Sequence, residues 1–337
     1  MDLETFLTTL YVLVDDWYKE RIAPQMKRKV GANPRMSDSE VLTVALAGQW
    51  RVGVPWQSER GLVRCMEAHW RGMFPTLLGR SGFNKRVRCL WGAFVLLQQH
   101  VACLLDSPQN VYECVDSLPL PAFSNGQAQR QPSHWLWQSS RGWGAYGGWF
   151  WGDQLLLSVQ RGGAITGWLL GAAHLNDRWL LEAFLSARRG EPRLVEPPRR
   201  GRDARADYTP PPLGFIGAFA AVGRALPRPY LADRGFNGRR WLRHWWHAYQ
   251  AAVIAAPVYN EQPNWSPHTK RWLASHRQRI ETTFAWLDGL FGIKRLNAHS
   301  RWGQYTRIAA KTAAYNIGLF INRFLNRPDG ALATLLC

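Results

Sequence analysis

The sequence predicts an α/β fold: a mixed sheet flanked by helices, preceded by an all-helical N-terminal region. Two patterns carry this reading. Apolar residues recur at helical spacing through residues 1–105. From Val111 onward, short apolar runs alternate with helical stretches in the order strand, hairpin, helix, strand, helix, strand, helix. A hydrophobic content of 46% over 337 residues is ample for the core of one large domain or two smaller ones.

The elements follow in order. Leu3, Phe6, Leu7, Leu10, Leu13, Val14 and Trp17 mark a first helix. Ser37, with Glu40 three residues on and an apolar run behind it, has the pattern of a capping box. Trp56–Trp70 and Phe83–Leu105 are further helices, and Lys85, Arg86 and Arg88 gather near the start of the second. Val111–Asp116 is a short strand, and residues 117–150, rich in Pro, Gly, Ser, Gln and Trp, read as loop. Leu155–Gln160 and Ala164–Ala173 flank Arg161-Gly162-Gly163 as a hairpin. Asp177 is placed as the cap of a helix running to Leu185. Residues 188–213, rich in Pro and Arg, read as a basic loop, and Phe215–Leu226 as a helix. Tyr230–Asp233 is a strand, Gly238–Gln250 a helix and Ala251–Ala256 a strand, with helices from about Lys270 onward. This divides the chain into a helical region over 1–105, an α/β domain over 106–300 and a helical tail over 301–337.

Charge narrows the partners. A net charge of +18 and a pI near 10.3 predict attraction to a polyanion, most simply nucleic acid. Only seven of the 42 basic residues are Lys, and Arg forks match phosphate oxygens bidentately. Trp135, Trp137, Trp143, Trp149 and Trp151 crowd one Gly-rich stretch beside Arg141, where rings could stack on bases or simply cover a sheet. The five cysteines form no C-x-x-C pair and read as reduced thiols. Asp2 and Glu4 stand where a signal peptide carries bases, and no apolar run is long enough to span a bilayer. The expectation is a cytoplasmic protein with no membrane partner. No phosphate-loop pattern points to ATP.

Three carboxylates carry the candidate chemistry. Asp116 and Asp233 end short apolar runs, and Glu281 lies in the helical stretch His276–Phe284 at the edge of the stripe Ile280, Phe284, Leu287 and Phe291. Such a trio can hold two Mg²⁺ ions, with Mn²⁺ as substitute, for phosphodiester chemistry. Each also has an ordinary reading. Asp116 and Asp233 suit turns, the second with Gly235 at positive φ, and Glu281 could pair with Arg277 one turn earlier. Arg277 is equally a candidate phosphate contact. Asp153 reads as an exposed strand start, Asp106 as a helix terminator, and His244 and His247 as packing residues.

Several segments together resemble the DDE transposases of bacterial insertion sequences. Val115-Asp116-Ser117-Leu118-Pro119 resembles the first-aspartate motif, and Leu231-Ala232-Asp233-Arg234-Gly235-Phe236 the second. Arg277-Gln278-Arg279-Ile280-Glu281-Thr282-Thr283-Phe284 resembles the glutamate helix. Trp151-Gly152-Asp153-Gln154-Leu155 with Asn176-Asp177, the opening Met36–Thr43 and the tail Arg307–Arg323 are similar to the same family. The likeness runs from Met36 to Arg323. It implies an RNase H-like sheet with the first aspartate on the first strand, the second after the fourth, and the glutamate on the closing helix. It further implies Asp116, Asp233 and Glu281 as metal ligands and catalytic residues. Double-stranded DNA is the implied partner, as terminal inverted repeats and as target, with a homo-oligomer on DNA in a bacterial nucleoid. Lys85, Arg86, Arg88, Arg199, Arg200, Arg202 and Arg277 are the expected DNA contacts. Ala274 and Asp288 stand where the related Tyr-Arg-Glu-Lys pattern has Tyr and Lys, so no hairpin-end mechanism is implied. The rival readings are an RNase H-like endonuclease that does not join strands, and a DNA-binding derivative that has lost catalysis.

Overall fold

The computed structural model describes residues 1–25, 34–124, 140–144, 148–189, 219–223, 226–257, 265–298 and 300–336. The chain is organised as two units, one of Met1–Leu104 with Trp286–Cys337 and the other of Leu105–Ala285.

The first unit is helical: α1 (Leu3–Trp17), α2 (Asp38–Ala47), α3 (Glu59–His69), α4 (Arg80–Cys89) and α5 (Trp91–Leu104), followed late in the chain by a long C-terminal helix over Arg301–Phe324. The expected capping box is present. Glu40 N–H donates to Ser37 Oγ at 3.1 Å, and Ser37 N–H donates to the Glu40 carboxylate at 2.6 Å. The C-terminal helix is buried along most of its length and packs on α5, where Asn316 Nδ2 donates to Gln98 O at 3.1 Å. Phe6, Trp50, Phe291 and Tyr315 form a chain of edge-to-face rings through this core. The C-terminal helix thus shares the core of the N-terminal helices rather than standing apart as a tail.

The second unit carries a seven-stranded mixed sheet: β1 (Glu113–Ser124), β2 (Ser140–Gly144), β3 (Gly148–Gln160), β4 (Ile165–Ala172), β5 (Phe219–Val222), β6 (Tyr230–Ala232) and β7 (Val253–Ala255). The order is β5-β4-β3-β1-β6-β7, with β2 paired to β3. Strands β1, β3 and β4 run antiparallel, and β6 and β7 lie parallel on the other side of β1. Without the additions β2 and β5, this is an RNase H-like arrangement, in which β6 is the fourth strand.

Helices cover the sheet. α6 (Asp177–Arg188) and α7 (Arg239–Tyr249) pack through Leu180, Phe184, Trp241 and Trp245 against Val115, Leu156, Tyr230 and Ala232. Full burial of each such side chain contributes about 1.5–3 kcal/mol. Successive side chains of a strand point to opposite faces. Glu113, Val115 and Ser117 therefore face α6, whereas Cys114 and Asp116 face α8 (Pro267–Gly289), where Cys114 Sγ lies 3.4 Å from His276 O.

On the α6 face, Arg188 and Glu113 form an ion pair at 2.8 Å with side chains 1% and 2% exposed. Arg188 also donates to Tyr230 Oη at 2.8 Å and Thr166 Oγ1 at 2.7 Å, and Ser158 and Thr166 donate to Glu113. Burial opposes the Arg188 charge, and the Glu113 carboxylate with the Tyr230 hydroxyl outweighs it.

Several local expectations change. The first strand runs on to Ser124 through Pro119 and Pro121. Only Glu113–Val115 pair with β6, so past Val115 no strand among the described residues pairs with the side of β1 away from β3, and a missing proline N–H there breaks no ladder bond. Phe219–Val222 is a strand, not part of a helix, because it completes the free edge of β4; that pairing overrides alanine's helical preference. Arg188 closes α6 rather than opening a loop. Asp153 is buried inside β3 rather than exposed at a strand start. The helix cap is Asn176, whose Oδ1 accepts from Arg178 N at 3.0 Å, and Asp177 is the first helical residue. His244 bonds Glu182 at 2.9 Å as a packing residue, beside the Trp245 indole and the Tyr249 hydroxyl on the same carboxylate.

Candidate active site

Parallel pairing sets the two aspartates side by side. Val115 of β1 is in register with Ala232 of β6, and Asp116 and Asp233 are the next residues along each chain. Asp116 is still in β1, and its Oδ1 accepts from Ser117 N at 2.8 Å. Asp233 caps the short 3₁₀ turn Arg234–Phe236, its Oδ1 accepting from Arg234 N at 2.5 Å. Arg277 reaches both from α8. Its Nη2 donates to Asp116 Oδ2 at 2.8 Å, and its Nη1 lies 3.6 Å from Asp233 Oδ1. The Arg277 side chain is 12% exposed and that of Asp233 56% exposed, so the site opens to solvent on the Asp233 side.

A third aspartate joins from the other face. Ser117 Oγ donates to Asp177 Oδ1 at 2.5 Å and accepts from Gln154 Nε2 at 2.9 Å. Asp177 is pressed close to the turn after Asp233: a Cβ on Gly235 would lie 2.9 Å from Asp177 Oδ2. A side chain at Gly235 would push the Asp177 carboxylate aside. Gly235 does not have the positive φ expected of it and sits in the 3₁₀ turn.

The electrostatics follow. Burial pushes the Asp116 carboxyl up to about 6; Arg277 and the Ser117 N–H partly offset this, while Asp233 and Asp177 add to it. Burial also raises Asp177, against its bond from Ser117 and with a further push from Asp233. Two carboxylates thus share one guanidinium, with Asp177 bonded behind them to Ser117. Among the described residues no three metal-ligating side chains converge as a ready cage. The pair Asp116 and Asp233 nonetheless fits a hard divalent cation: both are oxygen donors, and both already turn to one shared cationic group.

Glu281 stands apart from this cluster. It lies on α8 four residues beyond Arg277, hence about one turn away, and it is exposed rather than half-buried at the stripe's edge. Arg277 turns to the aspartates instead of pairing with it. Ile280 and Leu287 of the expected stripe are fully buried.

Residues 217–317 match the family model of the transposase DDE domain. That match supports a DDE transposase. The matched span holds Asp233, Arg277 and Glu281, and Asp116 comes from the strand on which β6 is laid. Neither a curated protein nor a solved structure matches the chain.

The other expected contacts are placed as follows. Lys85 and Arg88 are exposed on α4, whereas Arg86 is bonded to the Asp38 carboxylate. Arg199, Arg200 and Arg202 lie outside the described residues. Of the Trp-rich stretch, Trp143 and Trp149 stand exposed on β2 and β3, with the Arg141 guanidinium 4.3 Å over the Trp149 ring. No single helix among the described residues is long and apolar enough to cross a membrane. Sequence reading missed Asp177, Ser117 and Gln154 as neighbours of the aspartates. Asn176-Asp177 gave a signal as a helix start and as part of the family likeness, neither of which reveals which way the second carboxylate turns.

Proposed function

We propose that this transposase cleaves DNA at element ends and joins the freed 3′-hydroxyl to target DNA, with Asp116, Asp233 and Glu281 as the metal-holding carboxylates. The observation that carries this reading is the placement of Asp116 and Asp233 side by side, each one residue past the Val115–Ala232 pair, sharing one cation from α8. Mg²⁺ held there supplies Lewis-acid activation of a water or 3′-hydroxyl and stabilises the leaving oxygen. The protein's own groups do the rest. Ser117 N–H fixes Asp116 Oδ1, and Ser117 Oγ ties Asp177 and Gln154 into the same frame. Arg277 neutralises the aspartates in the free protein, and its fork is suited to a non-bridging phosphate oxygen once DNA is present. Glu281, exposed on the same helix, completes the carboxylate set on the DNA complex. The net charge of +18 draws duplex DNA to the protein, and the N-terminal helices, through Lys85 and Arg88, contact the element ends.

The test is a strand-transfer reaction with a pre-cleaved element end, a target plasmid and Mg²⁺ or Mn²⁺. Joined products are expected. Cutting of uncleaved ends without joining would make the protein an endonuclease, and binding without either reaction would make it a catalytically silent DNA-binding protein.

A further inference from the structure

The first unit contains a cavity of about 580 Å³ whose walls are strongly cationic. Arg51, Arg60, Arg80, Arg88, Arg307 and Lys311 line it against a single carboxylate, Glu59. That carboxylate is already engaged: Asn84 Nδ2 donates to it at 2.6 Å, and Arg307 Nη2 lies 3.6 Å away. Within the lining, five positive charges are left without a counter-charge.

Of these cations, Lys311 is buried, Arg51 and Arg307 are part-buried, and Arg60, Arg80 and Arg88 are exposed. Lys311 is 2% exposed, and its ammonium donates to the Phe291 carbonyl, a neutral acceptor. Burial first, then Arg51 and Arg307, push Lys311 down to about 7. Arg307 is lowered by burial and by Arg51 and Arg88, and Arg51 by burial. Arg51 Nε is buried with no hydrogen-bond partner among the described residues. Mutually repelling buried cations are costly unless an anion joins them. Three helix starts add to the field. Ser58 caps α3, Gly79 precedes α4 and Ser300 caps the C-terminal helix; Ser58, Arg80 and Ser300 all line the cavity.

We propose that this cavity is a phosphate-binding site for a DNA strand, in addition to the carboxylate site of the second unit. The ligand class follows from charge and size. One inorganic phosphate neither fills the space nor balances the lining, whereas successive phosphates of a backbone do both. The proposal rests on the DNA-directed function given above.

The test measures duplex binding by fluorescence anisotropy across a salt series, using the full chain and a short fluorescein-labelled duplex. Arg80→Ser with Arg88→Ser removes two exposed cavity cations. Arg64→Ser with Arg71→Ser removes two exposed arginines of the same unit that do not line the cavity. The cavity pair should lower the slope of log K against log salt by about two, one for each phosphate that is no longer neutralised. The control pair should leave the slope nearly unchanged. In parallel, inorganic pyrophosphate should raise the melting temperature of the wild type. The melting temperature of Lys311→Met should respond little to pyrophosphate, because the ammonium inside the cavity is gone. Equal slopes for the two pairs overturn the proposal even if the protein still cuts and joins DNA. A pyrophosphate response with equal slopes makes the cavity a small-anion site, which also overturns it. Conversely, a reduced slope in the cavity pair, in a protein that neither cuts nor joins, supports the cavity and sinks only the catalytic reading.

Discussion

Asp116→Asn and Asp233→Asn are each expected to lower DNA cleavage by about a thousandfold or more, equivalent to about 4 kcal/mol of barrier, while duplex binding is retained. Asparagine keeps the shape of the side chain and its one oxygen can still accept from Ser117 N–H, whereas the amide NH2 that replaces Oδ2 cannot accept from Arg277. What disappears is the negative charge that a divalent cation requires. Asp233 is more than half exposed, and its replacement costs little in folding. Glu281→Gln separates the possibilities most sharply. The residue is exposed and replaceable without structural cost, so abolished cleavage would mean that Glu281 acts on the DNA complex. Cleavage is to be followed on an end-containing duplex in Mg²⁺ and Mn²⁺, with circular dichroism as the control for folding. Near wild-type cutting by any of the three variants removes that residue from the metal-holding set. Asp177→Asn belongs in the same series, because Asp177 touches the site only through Ser117 in the free protein.

The second large effect concerns stability. Arg188→Met should destabilise the sheet unit by about 3–5 kcal/mol, because it leaves the Glu113 carboxylate buried without its counter-charge. Ser158 and Thr166 would still donate to Glu113, but neither carries charge. The double change Glu113→Leu with Arg188→Met should recover much of the loss, since burying two apolar groups avoids the cost of isolating one ion. Urea midpoints of the wild type and the two variants measure this. A loss below about 1 kcal/mol for Arg188→Met, the range of an exposed pair, would show that the pair is not holding the sheet to α6.

What could be read from the chain depended on the distance over which each signal acts. The Ser37–Glu40 capping box spans four residues and was legible in full. The β3–β4 hairpin was legible because its turn, Arg161-Gly162-Gly163, carries its own chemistry. The far half of β1 was not legible: Pro119 and Pro121 look like breakers until one knows that, among the described residues, this stretch has a strand neighbour on one side only. Phe219–Val222 was read as part of a helix because its strand form comes entirely from β4, some fifty residues earlier. At the site, Asp233 follows the end of its strand as expected, whereas Asp116, read as a strand end, lies inside β1. The placement of Arg277 between them, and of Asp177 behind Ser117, arises from pairings far apart in the chain that no local pattern encodes.

The two-sidedness of β1 has a dynamic consequence. One face anchors Glu113 in the Arg188 network, the other presents Asp116 to Arg277, and the strand is bonded to β3 along its length and to β6 at its start. Amide protons near Cys114 and Val115 therefore cannot exchange with solvent through local fraying; they exchange when the sheet as a whole opens. The geometry that holds the aspartates together has no looser intermediate of its own, so heat inactivation and melting of this unit should occur as one event.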